Sequence, residues 1–249
     1  YYDKNSNVTK VSDFEGNYTV NFYDALNRLS ATATNPVTGQ PSEVEGAPNA
    51  DDIIVSNAYD DAGNRIQVID GEGAVTGFRY DGLARNTQTI WDEGADLERT
   101  KTLIYDALVL TSRTDEKLQV TNYLYDDLHR LEDVIYVGRT VDNRHITYDD
   151  NGNILTVTHP NESDTLRDTT STWDALNRLT GEASADVTHA YTYDKAGNRE
   201  IATYGHTNRQ LVSTYDALNR LATCTEGTRV TIYAYNLNGA IVEKTLPND

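Results

Sequence analysis

Two neighbouring stretches decide the fold: Tyr191-Thr192-Tyr193-Asp194-Lys195-Ala196-Gly197-Asn198-Arg199, then Ser213-Thr214-Tyr215-Asp216-Ala217-Leu218-Asn219-Arg220-Leu221. In each, alternating aromatic and β-branched residues run into a polar cluster and then resume, which is the pattern of strand, tight reversal and strand. The same dipeptide, Tyr-Asp, recurs at Tyr2, Tyr23, Tyr59, Tyr80, Tyr105, Tyr125, Tyr148, Tyr193 and Tyr215, and Trp173-Asp174 and Tyr235-Asn236 fill the two gaps in the series. Successive starts lie 20–25 residues apart, except for one interval of 36. A fixed period of this length marks a repeat architecture. No stretch keeps a 3.6-residue period for ten residues. Ala95–Leu110 comes nearest, and the start at Tyr105 interrupts it.

The copies alternate between two kinds. One reads Tyr-Asp-x-x-Gly-Asn, as at Tyr59–Asn64, Tyr148–Asn153 and Tyr193–Asn198, and the other reads aromatic-Asp-Ala-Leu-Asn-Arg-Leu, as at Tyr23–Leu29, Trp173–Leu179 and Tyr215–Leu221. One turn geometry serves both. The carboxylates of Asp24, Asp60, Asp149, Asp174, Asp194 and Asp216 can accept backbone N–H bonds and start a type I turn. Three residues on, a reversal of this length needs a residue with positive φ to form a G1 bulge. Gly63, Gly152, Gly197 and Gly239 hold that place in one kind, and Asn27, Asn177 and Asn219 in the other. Val109 stands there after Asp106, and a β-branched residue disfavours positive φ, so that turn should be distorted or of another type. Ala84 is a milder misfit. The aromatics that end each first strand, with Tyr191 behind Tyr193 and Tyr123 behind Tyr125, read as packing residues with hydrated hydroxyls.

The expectation is an all-β chain in which about eleven tandem β-hairpins build one long, curved or spiralling antiparallel sheet over residues 1–249. Sheets of this many strands curl, and strand twist supplies the curl. A Pro- and Gly-rich stretch, 33–49, with Pro36, Pro41 and Pro48, reads as a long inserted loop, and His159–Arg167 as a shorter polar one. The chain opens in mid-pattern and lacks Met, which reads as a piece of a longer polypeptide.

Composition narrows the partners. Basic residues number 21 against 39 acidic ones, a net charge of −18. That balance disfavours nucleic acid and anionic membrane surfaces as partners, because each is bound through clustered Lys and Arg. No run approaches the ~18 apolar residues of a membrane-spanning helix, so membrane insertion is not expected. A single cysteine, Cys224, permits no internal disulfide and reads as a small buried hydrophobe.

The series resembles the YD repeats of bacterial Rhs proteins, of insecticidal Tc toxin shell subunits and of teneurins, from Tyr2 to Ile241, most closely in Tyr-Asp-x-x-Gly-Asn-Arg at Tyr59–Arg65 and Tyr193–Arg199. The resemblance implies a strip of hairpins spiralling into a hollow shell. Such a shell encloses a toxic polypeptide or serves recognition at a cell surface. It implies a secreted or surface location, and as partners the remainder of a longer chain or other subunits, and a polypeptide cargo. The Asp-Pro-x-Gly motif that accompanies cleavage in Rhs shells has no counterpart, since the sequence contains no Asp-Pro.

Catalytic and metal motifs are missing: there is no Gly-x-Ser-x-Gly, no His-Glu-x-x-His and no phosphate-binding loop. His129, His145, His159, His189 and His206 are scattered, and paired aspartates such as Asp149-Asp150 fall in turns, so no metal or cofactor is expected. The arginines are more ordered. Arg28, Arg85, Arg130, Arg178 and Arg220 stand four residues after the Asp, with Arg65 and Arg199 one step later. Such a row suits cross-strand pairing with Asp and Glu, or a cationic track for an acidic polysaccharide. The second option supports a rival, a carbohydrate-binding or lyase-like protein, whose least weak catalytic trio is His189, Tyr191 and Arg199. A third reading is an adhesive or filament-forming surface protein. The reading preferred here is a non-catalytic structural segment of a secreted or surface shell.

Overall fold

Alternation of side chains at period two, broken at each Asp turn, produces a meander of antiparallel strands. In the computed structural model, which describes all residues except 36, 45–47, 162–166, 206 and 247–249 and the side chain of residue 141, there are two compact units, Tyr1–Asn122 and Tyr123–Asp249. Pro36, His206 and part of the shorter insertion therefore lie outside the described residues. No Gly- or Pro-rich linker marks the division, which falls inside a strand.

The first unit contains β1 (Lys10–Ser12), β2 (Tyr18–Tyr23), β3 (Leu29–Thr34), β4 (Ile53–Tyr59), β5 (Arg65–Ile69), β6 (Val75–Tyr80), β7 (Asn86–Trp91), β8 (Arg99–Tyr105), β9 (Leu110–Thr114) and the start of β10 (Val120–Tyr125). Each pairs antiparallel with its successor. The second unit continues through β11 (Leu131–Tyr136), β12 (Arg144–Tyr148), β13 (Ile154–Thr158), β14 (Thr169–Trp173), β15 (Leu179–Ala183), β16 (Thr188–Tyr193), β17 (Arg199–Tyr204), β18 (Arg209–Tyr215), β19 (Leu221–Glu226), β20 (Arg229–Tyr235) and β21 (Ile241–Thr245), again each on the next. The all-β antiparallel class read from the repeats is what the structure shows. A 3-10 turn, Thr140–Asp142, stands between β11 and β12.

Within each hairpin the register slips at the same place. Tyr193 pairs with Arg199 but Thr192 with Ile201, so Glu200 is passed over, and the equivalent slip comes just before Tyr23, Tyr59, Tyr80, Tyr105, Tyr148, Trp173, Tyr215 and Tyr235. A bulge of this kind bends the strand and deepens its right-handed twist.

Very little is buried. Among the described residues the apolar core consists of Val20, Ala31, Ala33, Ile90, Val134 and Ala202, and the chain exposes 16223 Å². A compact globular protein of this mass exposes ~11,000 Å². With so small a core, hydrophobic burial between layers is not the main support of the sheet.

The inserted loop begins later than the 33–49 expected. Ala33 and Thr34 continue β3 opposite Ile54 and Ile53, and Ala33 is only 1% exposed. The loop then runs to Asp52, whose carboxylate gathers it by accepting bonds from Asn35 Nδ2, Ser42 N and Asn49 N, each at 2.8 Å. Partial burial opposes ionisation of Asp52, yet these donors outweigh it and its pKa falls below the ordinary value.

Candidate functional site: the stitched turn edge

Because strands alternate in direction, all Tyr-Asp turns fall on one edge of the meander within each unit. There the Asp carboxylate does three things. Asp174 Oδ1 accepts the backbone N–H of Leu176 and of Arg178, at 2.9 and 3.0 Å, while Oδ2 accepts Arg178 Nε at 2.7 Å. Asp24, Asp81, Asp126 and Asp216 repeat the arrangement with Arg28, Arg85, Arg130 and Arg220. In the other kind of turn an amide replaces the guanidinium: Asn64, Asn153 and Asn198 donate Nδ2 to the second oxygen of Asp60, Asp149 and Asp194 at 2.9 Å. Hydrogen bonds to the ionised form lower the carboxyl pKa in both kinds. The side-chain bond is the largest cause at Asp60, Asp149, Asp174, Asp194 and Asp216, and the backbone bond from Arg28 at Asp24.

The left-handed residue sits where the turn requires it. Asn27, Asn177 and Asn219 have φ of 61°, 59° and 58°, and Gly63, Gly152 and Gly197 have 91°, 87° and 94°. Three occupants depart from the sequence rule: Ser6 at 69°, Ala84 at 59° and His129 at 59° adopt the conformation despite their side chains. After Asp106 the reversal is one residue shorter. Asp106 N donates to Val109 O, Tyr105 pairs with Leu110, and Val109 keeps a negative φ.

The Arg then reaches beyond its own hairpin. Arg28 donates Nη1 to Asp60 O at 3.0 Å and lies over the Tyr59 ring, its Cζ 4.6 Å from the ring centre. Arg85 does the same to Asp106 O and Tyr105, Arg130 to Asp149 O and Tyr148, Arg178 to Asp194 O and Tyr193, and Arg220 to Asn236 O and Tyr235, every one stacked at 4.5 Å. A planar guanidinium can pair, donate and stack at once, which an ammonium cannot. Neither row of the sequence-based alternatives describes this. The pairing is within the turn and onto the next hairpin, not across strands to scattered acids, because Nε and Nη1 point to opposite sides of the Arg.

The tyrosines face backwards. Tyr59 OH donates to Leu29 O, Tyr193 OH to Leu179 O, Tyr215 OH to Arg199 O and Tyr235 OH to Leu221 O, at 2.8–3.0 Å. Tyr23, Tyr80 and Tyr148 behave alike, toward Val8 O, Arg65 O and Leu131 O. Trp173 substitutes its indole Nε1–H, donating to Ile154 O at 2.8 Å. The expected hydrated hydroxyl is thus corrected. Each carbonyl lies past the end of the ladder to the next strand, as Leu179 does beyond the last pair Gly181–Ala190, and the side chain supplies the missing donor. That accounts for Tyr and Trp at a place where Phe has the same ring but no N–H or O–H.

Asn–Asn bonds complete the stitching from the Gly-Asn turns onward. Asn7 reaches Asn27, Asn153 reaches Asn177 and Asn198 reaches Asn219, at 2.8–3.0 Å.

Of the trio His189, Tyr191 and Arg199, only the last two are in contact among the described residues, while His189, two residues before Tyr191 on β16, meets another ring. Arg199 lies over the Tyr191 ring at 5.3 Å, His189 meets Tyr204 edge-on at 5.2 Å, and burial raises the Tyr191 phenol pKa. Arg65 is held likewise over Phe78. No group of three or more His, Cys, Asp or Glu positioned for a metal occurs among the described residues.

Residues 43–246 match the teneurin YD-shell family. The chain belongs to that family. No curated protein matches it. Among solved structures, this YD-shell chain is similar to one described as TcdB2-TccC3-TEV, with a TM-score of 0.61 and 15% identity over 98% of this chain and 16% of the other. It is also similar to TcdB2-TccC3-Cdc42, at 0.58 and 13% over 92% and 16%, and to the Photorhabdus luminescens Tc holotoxin pore, at 0.58 and 14% over 92% and 15%. At such identity these likenesses establish the shared fold. The YD-shell chain spans about one sixth of their length. It is a structural shell segment, and no helix among its described residues is long and apolar enough to cross a membrane.

Proposed function

We propose that this YD-shell segment is a non-catalytic wall of a secreted or surface-displayed protein, and that the completed shell encloses a polypeptide cargo. The observation that carries the reading is the recurrent clip: the Asp, Arg and Tyr that would supply chemistry elsewhere hold one hairpin to the next at Arg28, Arg85, Arg130, Arg178 and Arg220. A layer with so little core needs such edge bonding to persist as a wall. The polysaccharide-lyase alternative loses its cations, since Arg199 and the turn arginines already stack on rings. The partners are other parts of the same shell and the enclosed polypeptide.

Two assays test the proposal. Limited proteolysis of the native polypeptide that carries this segment should leave an enclosed polypeptide intact until acid or denaturant opens the shell. Digestion of every part at one rate in the folded protein would refute enclosure. Incubation with acidic polysaccharides should yield no unsaturated ends, and their appearance would refute the non-catalytic reading.

A further inference from the structure

The two edges of the first unit differ in chemistry. On the Tyr-Asp edge the exposed Leu26 and Leu83 sit beside closed Asp24–Arg28 and Asp81–Arg85 pairs, so charge is locally balanced. The opposite edge is formed by the turns that follow β1, β5, β7 and β9 and by the inserted loop after β3, which is bonded to the first of them through Gln40 Nε2 donating to Gly16 O. Its tips are apolar and far more exposed: Phe14 at 97%, Leu97 at 85% and Leu118 at 80%. Acids flank them, in Asp13-Phe14-Glu15, Asp96-Leu97-Glu98 and Glu116-Lys117-Leu118, with Glu72 in the turn between. Asp13–Asn17, Asp70–Ala74 and Asp92–Glu98 contain no basic residue. Strand arginines neutralise Asp92 and Glu93, but among the described residues Glu15, Glu72, Asp96 and Glu116 form no ion pair.

The turns do not need these side chains. In Asp13–Asn17 and Asp70–Ala74 the first Asp accepts the backbone N–H groups and a left-handed glycine, Gly16 or Gly73, closes the reversal. Phe14 contacts nothing that would bury it, and a phenyl ring held in water is unfavourable unless something covers it. Charge decides what can. Neighbouring turns on this edge stand two strand spacings apart, about 10 Å, and the β1 and β5 turns stand four apart with the inserted loop between them. That spacing exceeds the ~8 Å Debye length at physiological salt but lies within the longer one at low salt, so at low salt their fields add, repelling acidic partners and anionic surfaces and attracting cations.

We propose that this edge of the first unit docks a basic polypeptide segment whose Lys or Arg residues meet Glu15, Glu72, Asp96 and Glu116 while its apolar side chains cover Phe14, Leu97 and Leu118. The proposal stands whether or not the shell encloses a cargo. The test uses a fluorescent peptide of alternating Lys and Leu, with anisotropy read at 50 mM and 500 mM salt. Replacing four edge acids (Glu15→Gln, Glu72→Gln, Asp96→Asn, Glu116→Gln) should weaken binding by about tenfold or more at low salt. Removing the same charge elsewhere (Asp127→Asn, Asp150→Asn, Asp186→Asn, Glu243→Gln) should change it by less than about twofold. A triple change to Ser at Phe14, Leu97 and Leu118 should also weaken binding, at both salt concentrations, whereas Ser at Leu26 and Leu83 should not. Equal loss in the two charge sets, insensitivity to the apolar changes, or no saturable binding would overturn the proposal.

Discussion

Tyr193→Phe isolates one bond of the stitching. The substitution removes the hydroxyl that donates to Leu179 O at 2.8 Å and leaves the ring under Arg178. Packing and the cation–π contact are retained, so the change reads the hydrogen bond together with the carbonyl left without a donor. A neutral bond of this kind is worth about 0.5–1.5 kcal/mol net. For a cooperative unit the size of Tyr123–Asp249, 1 kcal/mol lowers the melting temperature by about 3–5 °C. Tyr191→Phe is the matched control, since that side chain shares the strand face but its hydroxyl closes no ladder, and it should fall within about 0.5 kcal/mol of the parent. Tyr235→Phe, two hairpins away from Tyr193, should add to Tyr193→Phe nearly in full, as separated sites do. Urea denaturation followed by far-ultraviolet circular dichroism gives all four values. If Tyr193→Phe and Tyr191→Phe cost the same, the account of why Tyr and Trp occupy the repeat position is refuted.

Further expectations concern strain, pH and the inserted loop. Ala84 holds a left-handed φ of 59°, so Ala84→Gly should stabilise the first unit by about 0.5–1 kcal/mol, the relief of φ strain outweighing the entropy of glycine; a loss of stability in urea denaturation would contradict it. The turn aspartates have folded pKa values below the unfolded one, lowered by side-chain and backbone bonds, so their contribution is complete above the ordinary Asp value of about 3.9 and is lost as pH falls through the lowered values. Denaturation midpoints should therefore be flat from pH 7 to about 5 and drop below about 4, and a drop centred near pH 6 would point to histidine instead. Asp52→Ala removes the acceptor for Asn35, Ser42 and Asn49, and should speed proteolytic cleavage within residues 37–51 while leaving the strands' circular dichroism unchanged.

Much of this structure is written locally. Asp24 and Asn27, or Asp60 and Gly63, sit within one turn, and the need for an acceptor followed by a positive φ can be read from spacing alone. The turns after β1, β5 and β9 use the same chemistry, Asp13 with Gly16, Asp70 with Gly73 and Asp115 with Leu118, but no aromatic precedes them and the repeat series passed over them. His129 in the left-handed position was equally silent, since nothing in its residue type calls for positive φ. What sequence could not supply is the destination of the long side chains. Tyr193 finds Leu179, and Arg178 finds Asp194 and Tyr193, only once the strand register is fixed. A half-wet aromatic and a row of arginines invite several partners on paper, and the geometry selects one for each.

A double-mutant cycle between Arg178 and Tyr193, with Arg178 to Tyr215 as the non-contacting reference, measures directly whether the turn arginine couples one hairpin to the next. With Arg178→Met, Tyr193→Leu and Tyr215→Leu, the stacked pair should show a coupling of about 0.5–1 kcal/mol, and the reference pair should be additive within about 0.3 kcal/mol. Equal coupling in the two pairs, or none in the first, would contradict the stitched edge on which this account rests.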